Sequence, residues 1–149
     1  GGITGALPPV MGWTAARGQL DWEVLPIFAL LYFWQLPHFF AIAWMYRDDY
    51  RRGGFKMLSL EDQTGKKTGV QMLLNGGMLF IASLAIFMIG QGSLVYLAGA
   101  SLLGLGFMIV ITLFCFTSNF NNARKVFLAS IFYLPILGII IILERFLII

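Results

Sequence analysis

Four stretches of this 149-residue chain, 24–46, 70–89, 94–116 and 126–143, contain no Asp, Glu, Lys or Arg. Each is close to or beyond the roughly 20 apolar residues a helix needs to cross a bilayer core about 30 Å thick. Inside such a core each backbone donor and acceptor must find a partner within the protein, so a spanning segment of this kind is helical. The expected fold is an all-α transmembrane helical bundle. Residues 1–16 are also uncharged but short and start at Gly, so they read as a partial helix, the chain beginning inside it. They lack the basic start and small-residue cleavage site of a secretory signal.

Composition excludes the soluble classes. Hydrophobic residues make up 59% and charged residues 11%, against about a quarter charged in soluble domains, and mean hydropathy is +0.84. Cys115 is the sole cysteine, which rules out an internal disulfide and leaves it as a small packing residue. The basic balance, pI about 9.3, does not indicate nucleic acid, because the cations cluster between spans, where the positive-inside rule accounts for them. Arg47, Arg51, Arg52, Lys56, Lys66 and Lys67 lie in one connection and Arg124 and Lys125 in another, eight on one side against Arg17 and Arg145 on the other. That asymmetry puts the loop 47–69 on the cytoplasmic or matrix face and the turn Gln91-Gly92-Ser93 outside.

Small residues mark expected helix contacts: Gly1, Gly2, Gly5 and Ala6 on the partial helix, Ala100 and Gly104 on the third span. Pro8-Pro9 is expected to break or bend the partial helix, and Pro26, Pro37 and Pro135 to kink full spans. Asn75 is expected to bond across helices.

The first full span carries the chemistry. Trp34-Gln35-Leu36-Pro37-His38-Phe39 lies in its second half, and Arg47-Asp48-Asp49-Tyr50-Arg51-Arg52 follows its end. Intramembrane ionisable groups are costly and are functional candidates by default. In a continuous helix, His38 and Asp49 would be three turns plus about 20° apart over roughly 16 Å. Trp34, His38, Ile42, Met45 and Asp49 would then form one stripe, with Gln35 beside it sharing a cavity. Asp48 and Asp49 are hard oxygen donors of the type that hold Mg²⁺ with substrate phosphates. Arg47, Arg51, Arg52 and Lys56 suit a diphosphate, which they could draw off as a leaving group. The plainer reading of these charges is a solvated interfacial cluster. For His38 it is a carbonyl bond, one made available by Pro37 at Phe33, set against haem ligation or proton transfer. Most of the aromatic residues around it would face lipid or pack, while Trp34, on the His38 stripe, could shield a carbocation.

Three segments in succession, Gly-Ala-Leu-Pro-Pro-Val-Met-Gly-Trp at 5–13, Trp-Gln-Leu-Pro-His-Phe-Phe-Ala-Ile-Ala-Trp at 34–44 and Tyr-Arg-Asp-Asp-Tyr-Arg-Arg-Gly-Gly-Phe-Lys-Met-Leu at 46–58, resemble the C-terminal half of the haem O synthases. These protohaem IX farnesyltransferases are a branch of the UbiA superfamily of intramembrane prenyltransferases. The resemblance implies about five of nine transmembrane helices. It also implies transfer of a farnesyl group from farnesyl diphosphate, with Mg²⁺, to a vinyl group of haem b, and addition of water to give haem O. Asp49 and Arg47 would be the catalytic pair, Arg51, Arg52 and Lys56 the diphosphate contacts, and His38, Trp34 and Gln35 the haem side. Residues 48 and 49 would be the acidic members of a polar loop, but Arg52 and Gly53 stand four residues after them, so a second Asp-repeat metal motif is incomplete. Haem A synthase or oxidase-assembly proteins would be downstream partners, in a bacterial plasma membrane or the inner mitochondrial membrane. Alternatives are a UbiA-type enzyme for an aromatic or quinone precursor and a non-enzymatic transport or assembly subunit.

Overall fold

A computed structural model describes residues 2–90 and 92–147, except the side chains of Arg145 and Leu147. Gly1, Gln91 and the Arg145 side chain, used above, lie outside the described residues. Every regular element among those residues is helical: α1 (Gly2–Arg17), a 3-10 turn (Trp22–Val24), α2 (Leu25–Met45), α3 (Arg47–Arg52), α4 (Leu58–Glu61), α5 (Lys66–Met88), α6 (Leu94–Phe116) and α7 (Phe120–Leu147). Four are long and apolar enough to cross a membrane, over Trp22–Met45, Lys66–Met88, Leu94–Phe116 and Phe120–Glu144.

Those four helices close on one another. α5 packs between α2 and α6, and α7 packs between α6 and α2, so each spanning helix has two neighbours, while α1 lies outside against α2. Met72, Leu79, Tyr96, Ile111, Val126 and Tyr133 fill the interior. Large apolar side chains such as Leu102, Ile109 and Phe132 stay exposed on the outside, as expected where lipid replaces water. Small residues set the close approaches. A Cβ on Gly104 would run into the ring of Phe80, joining α6 to α5, and one on Gly5 would meet the Gln35 side chain, joining α1 to α2. Cys115 packs against Gly69 in the same way.

Helix ends differ from span ends because capping, not hydropathy, sets them. α5 begins four residues before its uncharged run. There the buried carboxylate of Asp62 accepts the Gly65 N–H at 3.0 Å, the Thr68 N–H at 2.8 Å and the Thr64 hydroxyl at 3.2 Å. Gly65, φ +77°, makes the left-handed step into the helix, and a side chain there would strike Ser118. α7 begins at Phe120 because Asn119 Oδ1 accepts the Asn122 N–H at 2.8 Å. At the other end of the bundle, Glu144 of α7 accepts the Tyr96 N–H at 2.6 Å and the Ser93 N–H at 3.2 Å, satisfying the first turn of α6.

Three local expectations are corrected. α1 runs unbroken through Pro8 and Pro9, whose fixed φ is already helical, so the rings remove donors without ending the helix. Pro26 sits at the start of α2, where no intrahelical donor is needed, while Pro37 and Pro135 are interior. Asn75 donates at 2.7 Å to Gln71 O in its own turn and makes no bond across helices.

Candidate functional site

Trp34 and His38, one turn apart on α2, both face α7. Trp34 Nε1 donates to the Ser130 carbonyl at 2.7 Å, and His38 Nδ1 lies 2.8 Å from the Ser130 hydroxyl. The imidazole stacks on Trp34, centroids 5.2 Å apart and planes 21° apart, and packs on Phe127 of α7 at 5.0 Å and 30°. Phe39 meets it edge-on at 5.7 Å. His38 is half-buried, and its partner comes from another helix instead of a carbonyl released by Pro37. Sequence reasoning missed Ser130, since a serine in an aliphatic helix carries no signal until α2 lies beside α7.

Gln35 is on a different face. It donates to the Gly2 carbonyl of α1 and is buried there, so it does not share the Trp34 and His38 cavity. Side chains one residue apart on a helix diverge by about 100°, and α1 occupies the direction Gln35 takes.

The stripe from His38 to Asp49 is also interrupted. The Tyr46 N–H bonds back to Ile42 O at 3.0 Å, but the next rung restarts with Asp49 and Tyr50 N–H, both 3.1 Å from Tyr46 O. Tyr46 has φ −108° and ψ 22°, so α3 takes a new direction. The order within α3 favours a separate helix: Asp48 and Asp49 in its first turn and Arg51 and Arg52 in its last complement the helix dipole. Arg51 pairs with Asp48 at 3.5 Å and Arg52 with Asp49 at 3.9 Å, all four exposed. Arg47 lies over the Trp44 ring at 4.7 Å, and Trp44 in turn meets Phe114 edge-on at 5.4 Å. Lys56 is exposed in the connection to α4. The bundle thus holds its imidazole about 10 Å below the end of α2, given seven residues at 1.5 Å each, and a rim of paired charges beyond that end.

The acids of this rim are paired with its bases. Each carboxylate faces its own arginine, and no group of three or more His, Cys, Asp or Glu converges among the described residues. Arg47, Arg51, Arg52 and Lys56 outnumber Asp48 and Asp49 there, and exposed guanidinium groups exchange partners readily for a phosphate. At the opposite end Arg17 is held by Glu23 at 3.2 Å and Asp21 at 3.7 Å.

The family model described as UbiA prenyltransferase family matches residues 1–134. The chain is 39% identical to a protein named protoheme IX farnesyltransferase from Koribacter versatilis, covering 97% of this chain and 49% of that protein. It is 40% identical to one of the same name from Solibacter usitatus, over 97% of this chain and 50% of the relative. A mitochondrial protoheme IX farnesyltransferase of Arabidopsis thaliana is 38% identical over 91% of this chain and 32% of the relative. The chain spans about half the length of the bacterial relatives. No solved structure matches it.

Proposed function

This chain belongs to the UbiA prenyltransferase family, and from that premise we propose that it is the C-terminal half of an enzyme transferring a farnesyl group from farnesyl diphosphate to a vinyl group of haem b. The observation that carries the reading is the juxtaposition on one segment. α2 supplies an aromatic and imidazole face inside the bilayer, and α3 supplies cations at its mouth. Relatives named for this reaction match nearly the whole chain, across bacterial and mitochondrial forms.

In the proposed reaction the C1–O bond of farnesyl diphosphate breaks, and the diphosphate leaves with the bonding pair. Arg47, Arg51, Arg52 and Lys56 take up its negative charge. The vinyl group of haem b attacks the allylic cation, forming the carbon–carbon bond, and water adds to the resulting cation with loss of a proton to give haem O. Trp34 supplies a π face to positive charge, and His38 sits on the porphyrin side. Asp49 is the acidic member of the rim, paired with Arg52, and Asp48 its neighbour. Mg²⁺, when bound with the diphosphate, neutralises leaving-group charge. Residues 48 and 49 do not form a complete cage for it, so we derive no step through the metal. Gln35, turned to α1, takes no part in this step. We place the loop 47–69 on the cytoplasmic or matrix side, where eight of the ten cations gather.

The test is product formation by the full-length protein in membranes given haem b and farnesyl diphosphate. Mass spectrometry should show haem O, the haem gaining one farnesyl group and one hydroxyl. Prenylation of an aromatic acid instead, with haem b untouched, would move the enzyme to the quinone-precursor branch; no prenyl transfer to either would leave the transport or assembly reading.

A further inference from the structure

Ser130 holds both members of the α2 pair, and its two oxygens do different work. The carbonyl accepts Trp34 Nε1 at 2.7 Å, while the hydroxyl contacts both Phe127 O at 2.6 Å and His38 Nδ1 at 2.8 Å. A hydroxyl has one hydrogen, and a carbonyl cannot donate. The short contact with Phe127 O therefore uses the Ser130 hydrogen, and the bond to the imidazole must run the other way, from Nδ1–H to Oγ. We propose that Ser130 is a positioning residue that fixes His38 as its Nδ1–H tautomer, leaving the Nε2 lone pair as the ring's electron donor toward the substrate site.

The geometry supports this beyond hydrogen counting. Trp34 and Phe127 cover ring surface, Phe39 stands edge-on to it and Ser130 occupies the Nδ1 edge; among the described residues no hydrogen bond reaches Nε2. A fixed N–H on one nitrogen makes the other a better-defined ligand or base, the arrangement that second-shell partners impose on metal-bound imidazoles. The chemistry that would recognise it is an electron-pair acceptor at the depth of His38, below the charged rim, which on the reading above is the iron of the haem substrate. That last identification rests on the proposed function; the tautomer and the role of Ser130 do not.

His38 is the only histidine in the chain, so labelling histidine with ¹⁵N gives one imidazole to observe. In the detergent-solubilised chain, at about two pH units above the ordinary imidazole value of 6.5, nitrogen–proton correlation should show the hydrogen on Nδ1. Ser130→Ala should move it toward Nε2, the form free imidazole side chains favour in water, and Ser130→Thr should restore the Nδ1–H pattern. Trp34 bonds to the backbone carbonyl, which every variant keeps. Its indole N–H should therefore remain hydrogen-bonded in Ser130→Ala, showing that α2 and α7 stay packed. An Nε2–H tautomer in the unaltered chain, or an unchanged pattern in Ser130→Ala with the indole signal retained, would overturn the proposal. Hemin titration of the same samples separates the two ideas. A Soret shift weakened about tenfold in affinity by Ser130→Ala supports the iron as the acceptor. A tautomer change with unaltered hemin binding keeps Ser130 as the positioning residue and removes the haem assignment.

Discussion

Replacing His38 by alanine removes the one α2 side chain that both contacts Ser130 and presents an unprotonated nitrogen. In the proposed enzyme, His38→Ala should weaken the haem Soret shift on titration, while Asp49→Asn should leave that shift in place and depress turnover. The loss for Asp49→Asn is expected at roughly tenfold to a hundredfold in kcat/KM, the scale of one hydrogen bond to a charged group. Equal losses of haem binding and turnover in Asp49→Asn would indicate a disturbed fold. At this scale the sequence was legible for residue type but not for direction. Trp34 and His38 could be placed on one stripe from their spacing alone. Ser130, the α1 contact of Gln35 and the Glu144 cap depend on which helices become neighbours, and no local pattern records that.

At the scale of elements, the connection into α5 shows how a polar loop is anchored. Burial works to raise the Asp62 pKa, but the Thr68 N–H, the Thr64 hydroxyl and the Gly65 N–H outweigh it and hold the carboxyl below its ordinary value. A depressed folded value means the ionised form stabilises the fold. That contribution is complete above the ordinary carboxylate value and is lost as pH falls through the depressed one. Thermal melts in detergent should therefore show stability falling in acid, with a smaller acid dependence in Asp62→Ala. The same variant should cost about 0.5–2 kcal/mol at neutral pH, the range for losing a helix cap. An acid dependence as steep as in the unaltered chain would place the effect elsewhere. The Asp-Gln-Thr-Gly order at 62–65 held the signal for this cap, an acceptor followed by a glycine suited to positive φ. The lapse at Tyr46 was legible as well, in the acid-first, base-last order of 48–52, but reading the helix as continuous passed over it.

For the whole molecule, absence of charge foretold the spans, and the closed ring of α2, α5, α6 and α7 followed only from packing. The ring brings the start of α5 and the end of α6 beside the end of α2, as the Trp44–Phe114, Gly65–Trp44 and Gly65–Ser118 contacts show. Cations from both connections therefore share one face. Glu61, exposed at the end of α4, is a convenient reporter: Glu61→Cys in a Cys115→Ala background should react with an impermeant maleimide only after the membrane is opened. Labelling of sealed cells would invert the proposed orientation. The 149-residue chain alone is expected to show no prenyl transfer, and supplying the remaining half of the relatives' length on a second polypeptide should restore it; turnover by the chain alone would contradict the two-half reading.

The missing rung at Tyr46 makes a swivel of what would otherwise be a rod. In the proposed enzyme, capture and departure of an anion at the rim would act on α3, a helix with its own ladder of bonds apart from the one that carries the imidazole. On the proposed function, porphyrin and isoprenoid would be sensed by separate helices, and saturating the full-length protein with one should leave the affinity for the other unchanged.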